Sequence, residues 1–222
     1  MSKIKSVWIL GAGKFGCLSW KKLSSKAGDI KITVIDHRPE KLSLITGRTI
    51  CQDGISFLVE KLEKADQWPD LIIPAIPVHV AYEYILAGSK DTHIIKTMPV
   101  PDQLIEKLPN SIKGDSGQAY ISNADFLCPD NCPEPAKLCT YTGKPRPREL
   151  FDYLAKLNYL NYQSIVLRSR QLVPGVGGYS PKALLDVKNM VIKNKAPVLL
   201  STACRCHGVM HVLQCREKPI SK

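Results

Sequence analysis

The chain has 222 residues, 44% of them hydrophobic and 23% charged, with a formal net charge of +11. That balance describes a soluble chain able to bury a substantial core, as one large domain or two small ones, and argues against a disordered or fibrous protein. No apolar run approaches a membrane span, and the start from Met1 to Lys5 lacks a signal-peptide core, so a cytoplasmic protein away from membranes is expected. Lys and Arg are scattered, in pairs such as Lys21 and Lys22, without long blocks or an aromatic-basic motif. Specific nucleic-acid binding is therefore not expected, and the excess charge reads as solvated surface and attraction for phosphorylated cofactors.

In chain order, residues 6–10 read as a buried strand that breaks into Gly11, Ala12, Gly13, Lys14, Phe15, Gly16 and then into a helix over 14–27. This is G-x-G-x-x-G in its dinucleotide-binding context. Gly11 permits a tight turn, Gly13 lets backbone approach a pyrophosphate, and Gly16 lets the helix pack closely on its strand. A second strand over 31–35 ends in Asp36, twenty residues beyond Gly16, where a carboxylate would accept hydrogen bonds from an adenosine ribose. Asp36 favours NAD, while the neighbouring His37 and Arg38 keep NADP open, since an arginine there could grip the extra phosphate.

Residues 49–51 form a short third strand, 55–64 a helix, 71–76 a further buried strand fraying at Pro74 and Pro77, 78–87 a helix stopped at Gly88, and 93–96 the next strand. Such alternation predicts an α/β fold with a doubly wound, mostly parallel, Rossmann-like sheet. The glycine motif, Asp36, the Gln52, Asp53, Gly54 turn and the stretch from Asp70 to Pro77 resemble the NAD-binding domains of the saccharopine dehydrogenase-like and TrkA-type families, over about the first hundred residues. The resemblance implies that Asp53 lies near the adenine and that Ala75 to Pro77 border the nicotinamide. The segment Ile94 to Pro99 faintly resembles the Glu-Lys-Pro segment of glucose-fructose oxidoreductase-like enzymes. It departs from it at Thr97 and Met98, so Lys96 reads as a solvated lysine at a strand end rather than a catalytic group.

The expected division is a dinucleotide-binding domain over 1–110 and a cysteine-bearing α/β half over 111–222 that could continue the same sheet. A loop-rich stretch over 99–117 joins them, with a helical piece near 103–108. In the second half, strands are expected over 118–122, 164–172 and 198–202, and helices over 148–158 and 181–194. Ser180 and Pro181 give the last helix a hydroxyl cap and a first-turn proline. The turn from Pro174 to Gly178 could hold an anion or serve as a flexible connection.

Six of the eight cysteines lie in this half. Cys128, Cys132 and Cys139 form C-x3-C-x6-C, and Cys204 and Cys206 supply a second group after a strand end. Thiolates bind zinc or iron, and a short loop with three of them can clamp an ion or cluster with a distant segment closing the fourth corner. The spacing matches neither the common zinc knuckle nor the ferredoxin run, so an iron–sulfur cluster, zinc, and free thiols all remain open. His207 and His211 read as packed rather than ligating, and Cys17 and Cys51 as small buried apolar residues.

The expected protein is an NAD(P)-binding oxidoreductase-like chain with a cysteine-ligated metal or iron–sulfur site. Its partners would be a small-molecule substrate or redox partner, and a homo-oligomer is compatible with the sequence. The alternative is a non-catalytic nucleotide or redox-sensing module; a methyltransferase fits the glycine spacing less well. No residue declares itself an acid or base.

Overall fold

Four short apolar segments pair side by side at the start of the chain, whose computed structural model describes residues 4–26 and 30–219. They are β1 (Ser6–Leu10), β2 (Lys31–Asp36), β3 (Arg48–Cys51) and β4 (Leu71–Pro74), all parallel, in the order β3-β2-β1-β4. Side chains alternate across this sheet. Leu10, Ile35 and Ile72 enter one core, whereas Val7, Ile9, Val34 and Ile73 enter the other, which α1 (Lys14–Lys26) covers with Trp20 and Leu23. A short α2 (Pro39–Leu42) follows β2, and α3 (Gly54–Lys61) follows β3. The expected end of the first helix at residue 27 lies outside the described residues.

After β4 the chain forms α4 (Val80–Ser89) and then β5 (His93–Met98). The helix runs through Gly88, whose carbonyl accepts from Lys188 Nζ at 2.6 Å. Here the expectation of one doubly wound, mostly parallel sheet needs correction, because β5 leaves the first sheet. It pairs antiparallel with β12 (His207–Glu217), an 11-residue strand at the centre of a second sheet. The other members are β6 (Ile112–Lys113), β7 (Ala119–Ser122), β8 (Gln163–Arg168) and β11 (Val198–Ala203), in the order β6-β7-β12-β11-β8. Only the β8–β11 pair is parallel. The second half, joined by β5 from the first, therefore builds a second, mainly antiparallel sheet.

The expected strand over 164–172 breaks at Ser169. Its second part is β9 (Arg170–Val173), which makes a hairpin with β10 (Val176–Gly178). Tyr179 then bridges Ile72 through two backbone hydrogen bonds of 2.8 and 3.1 Å, so the second half lines the open edge of β4. α5 (Asp102–Ile105) and α6 (Leu150–Ala155) cover the outer face of the second sheet, against Leu199, Met210 and Val212. α7 (Pro181–Lys193) packs with α3 and α4 in a layer between the two sheets, against Leu10 and Ile72 on one side and Leu200, Leu213 and Cys215 on the other. The two sheets thus share one central helical core. Among the described residues no helix is long and apolar enough to cross a membrane.

Candidate functional site

The glycine loop takes the shape its spacing dictates. Gly11 has φ +100° and donates to Ile35 O at 2.6 Å, tying the end of β1 to β2. A Cβ on Gly16 would collide with the Gly11 carbonyl, so only glycine lets α1 start this close to its strand. Gly13 has open space where a side chain would be, which leaves its backbone accessible. Lys14 and Phe15 are exposed at the first turn of α1, where helix geometry leaves amides without internal acceptors. Ala75 O packs against Gly11, so the segment after β4 borders this loop, with Pro77 exposed beyond it. Asp53 caps α3, accepting from Ser56 N at 2.8 Å. The Gly54 that follows lies against Leu10 and Ile76.

Asp36 is at the expected strand end but is not an open acceptor. Its Oδ2 accepts from Ala12 N at 2.7 Å and Arg38 Nη2 at 3.0 Å; its Oδ1 accepts from Arg38 N at 2.9 Å and Arg38 Nε at 3.0 Å. The hydrogen-bonded Arg38 guanidinium holds this buried carboxyl far below the usual carboxylate range, against the opposing cost of burial. His37 is exposed, with Nδ1 3.7 Å from Asp36 Oδ1.

Beside the glycine loop opens a cavity of about 1220 Å³ whose walls include Phe15 and Pro74 from the first sheet's carboxyl edge and all five predicted ligands, Cys128, Cys132, Cys139, Cys204 and Cys206. Antiparallel pairing through β12 makes β7 and β11 run the same way, so their ends at Ser122 and Ala203 deliver both cysteine segments to one edge. The parallel sheet expected to do this is not needed.

Residues 123–149 between β7 and α6 hold no helix or strand apart from one bridge, Leu138 to Pro145. They are fixed from outside. Lys14 Nζ pairs with Asp130 at 2.7 Å, and Cys132 O accepts from Gly175 N at 3.1 Å and from Gln171 Nε2 at 2.7 Å. Gly175 has φ +75°, and a Cβ there would strike Asp130 O. The second glycine-rich turn therefore packs against the cysteine loop.

The thiols differ in their surroundings. Burial, then repulsion from Cys132, Cys206 and Cys139, pushes the Cys128 thiol up. Cys204 is pushed up to about 12 by burial and by Glu134, although its sulfur accepts from Cys206 N at 3.5 Å and His207 N at 3.4 Å. Hydrogen bonds from Thr142 bring Cys139 down. Burial raises Cys206 despite the opposing Arg146, whose Nε donates to Cys206 Sγ at 2.9 Å. Among the described residues, no three His, Cys, Asp or Glu side chains converge on one metal-sized point. All eight thiols are free; Cys51 is exposed and Cys17 half-buried, which corrects the expectation that both are buried.

Several residues at this site carried no sequence signal, because their partners are distant in the chain. Arg146 is one, since its Nη2 also donates to Pro135 O at 2.9 Å and its Nη1 lies 3.6 Å from Glu149. Glu134 is another, accepting from Arg205 N at 2.6 Å. Buried His79 pairs with His211, Nδ1 to Nδ1 at 2.9 Å, and with Thr202 Oγ1 at 2.8 Å, between α4 and the second sheet. His211 is thus packed, as expected, whereas His207 is exposed, against the expectation.

A family model described as the C-terminal domain of an uncharacterized protein matches residues 75–216, from the end of β4 into β12. The chain belongs to this family. It is also 30% identical over 223 residues to an uncharacterized protein of Archaeoglobus fulgidus, an alignment covering 93% of this chain and 98% of the relative. The likeness therefore extends across both sheets and both halves of the site.

Proposed function

We propose that the protein is an NAD(P)-binding oxidoreductase-like protein in which a Rossmann-like first half holds the dinucleotide and the cysteine segments hold an iron–sulfur cluster or zinc. The observation that carries this reading is the shared cavity: Phe15 and Pro74 from the nucleotide edge and the five cysteines line one space. The strand order β3-β2-β1-β4 and the close packing of Gly11, Gly16 and Ala75 support the dinucleotide part. The donor set supports the metal part. Five cysteines line one space, three of them from the long irregular segment over 123–149 and two from the turn between β11 and β12, and such segments are uncommon in compact domains unless functional. Binding would draw together thiols that do not yet meet at one point.

In this reading Gly13 and the first turn of α1 receive the pyrophosphate, and the residues after β4 border the nicotinamide, which supplies hydride chemistry when bound. Phe15 and Pro74 form the wall between that edge and the cysteines. A small-molecule substrate or redox partner would enter the cavity.

Purification without oxygen tests the metal part. Iron and acid-labile sulfide with visible absorption identify a cluster, and colourless protein with stoichiometric zinc identifies a zinc site. The double variant Cys128→Ser, Cys132→Ser is expected to lose either. Full metal content in that variant removes these residues from the site, and transfer from reduced nucleotide to an artificial acceptor separates an enzyme from a sensing module.

A further inference from the structure

Resting on the reading that the glycine loop holds a dinucleotide, we infer that the adenosine end of the site takes a 2′-phosphorylated nucleotide, NADP(H), through Arg38 and His37. The unphosphorylated form would be the poorer ligand. Asp36 has no acceptor position left for a ribose. Two carboxylate oxygens offer about four lone-pair positions, and four donors already occupy them: Ala12 N, Arg38 N, Arg38 Nε and Arg38 Nη2. The side chain is only 2% exposed. A ribose diol would have to break part of a charge-assisted fork to find an acceptor here.

What the strand end presents to solvent is the outer edge of a guanidinium and an imidazole. The Arg38 side chain is 43% exposed and that of His37 67%. Among the described residues Arg38 Nη1 makes no hydrogen bond, so the guanidinium keeps a free donor edge while Asp36 fixes its plane. The other carboxylate whose charge reaches Arg38 is Glu40, which is exposed. Pre-orientation matters because a fixed planar fork loses little freedom when it meets a phosphate. Asp36 is thus a positioning residue: it ties the glycine loop at Ala12 to the guanidinium, so the pyrophosphate and 2′-phosphate subsites are set by one carboxylate.

The test is calorimetric titration of the intact protein with NADPH, NADH and 2′,5′-ADP. NADPH is expected to bind at least about tenfold more tightly than NADH, the worth of one charge-assisted hydrogen bond or more. The nicotinamide-free 2′,5′-ADP should bind measurably and compete with NADPH. Arg38→Ala should remove most of the NADPH preference without weakening NADH, and Arg38→Lys should recover part of the difference. NADH binding as tightly as NADPH to the unmodified protein overturns this inference and leaves the dinucleotide reading intact. If none of the three nucleotides binds, the dinucleotide reading falls and this inference with it.

Discussion

Arg146 sits where two segments distant in sequence meet. Its side chain is 5% exposed and reaches Cys206, the Pro135 carbonyl and Glu149 at once, tying the 128–139 loop to the β11–β12 turn. Glu149 is itself held by Arg205 at 2.6 Å. Arg146→Met should leave the Pro135 carbonyl unpaired and cost about 2–3 kcal/mol, the usual penalty for stranding buried partners of a charged donor. Urea unfolding reads the loss directly. Relative to Cys215, which is buried in the core the two sheets share, labelling of Cys206 by a soluble thiol reagent should slow, because the guanidinium that favours its thiolate is gone. An unchanged ratio of the two rates would mean that Arg146 only stabilises the fold and does not act on the cysteine. Its role was not legible in the sequence, where it stands in a Lys-Pro-Arg-Pro-Arg run indistinguishable from solvated charge. Gly16 was legible, because its constraint lies five residues away, at Gly11.

Elements whose signals are local matched expectation best. Ser180 accepts from Ala183 N at 3.2 Å and Pro181 opens α7, as the Ser-Pro pair predicts. The destination of β5 was not legible, since its sequence fixes a strand but says nothing of whether β4 or β12 pairs with it. For β12 the residues from 209 to 213 fit helix and strand alike until alternation is seen: Met210 and Val212 face one core, Leu213 and Cys215 the other. The same alternation sends His211 inward against His79, beneath the ring of Tyr82 at 4.0 Å. Burial holds His79 down to about 3, with repulsion from His211 adding to it, and holds His211 down to about 4. Unfolded, both would titrate near 6.5. Between pH 6.5 and 4 the unfolded chain therefore binds protons the folded chain refuses, so stability is full above 6.5 and falls with acidification by about 1.4 kcal/mol per pH unit per histidine. Chemical denaturation across that range should show the slope, and His211→Gln should roughly halve the histidine part of it. An unchanged slope would mean that His211 takes up its proton in the folded protein.

At the scale of the molecule, the two cysteine segments and the glycine loop come together only because two sheets clasp one helical layer. Sequence alternation found the four strands of the first sheet but assigned the strand over 93–96 to it as well, and the convergence depends on long-range pairings such as Ile72 with Tyr179 and Lys14 with Asp130 that no local pattern encodes. These pairings also predict cooperativity. Leu10 and Ile72 of the first sheet share a core with Leu200 and Leu213 of the second, and Val173 and Val176 from the second half pack beneath Val7 and Ile9. Neither sheet can open without exposing apolar surface of the other, so the two halves should unfold together. The chain supplies its own reporters. Trp8, Trp20 and Trp68 all lie in the first half, and Cys215 is buried on β12 of the second sheet. Tryptophan fluorescence and peptide-resolved trapping of Cys215 should therefore give the same denaturant midpoint. If Cys215 became reactive at a clearly lower denaturant concentration than the fluorescence change, the second sheet would be opening alone, and the shared helical layer would not couple the halves as its packing implies.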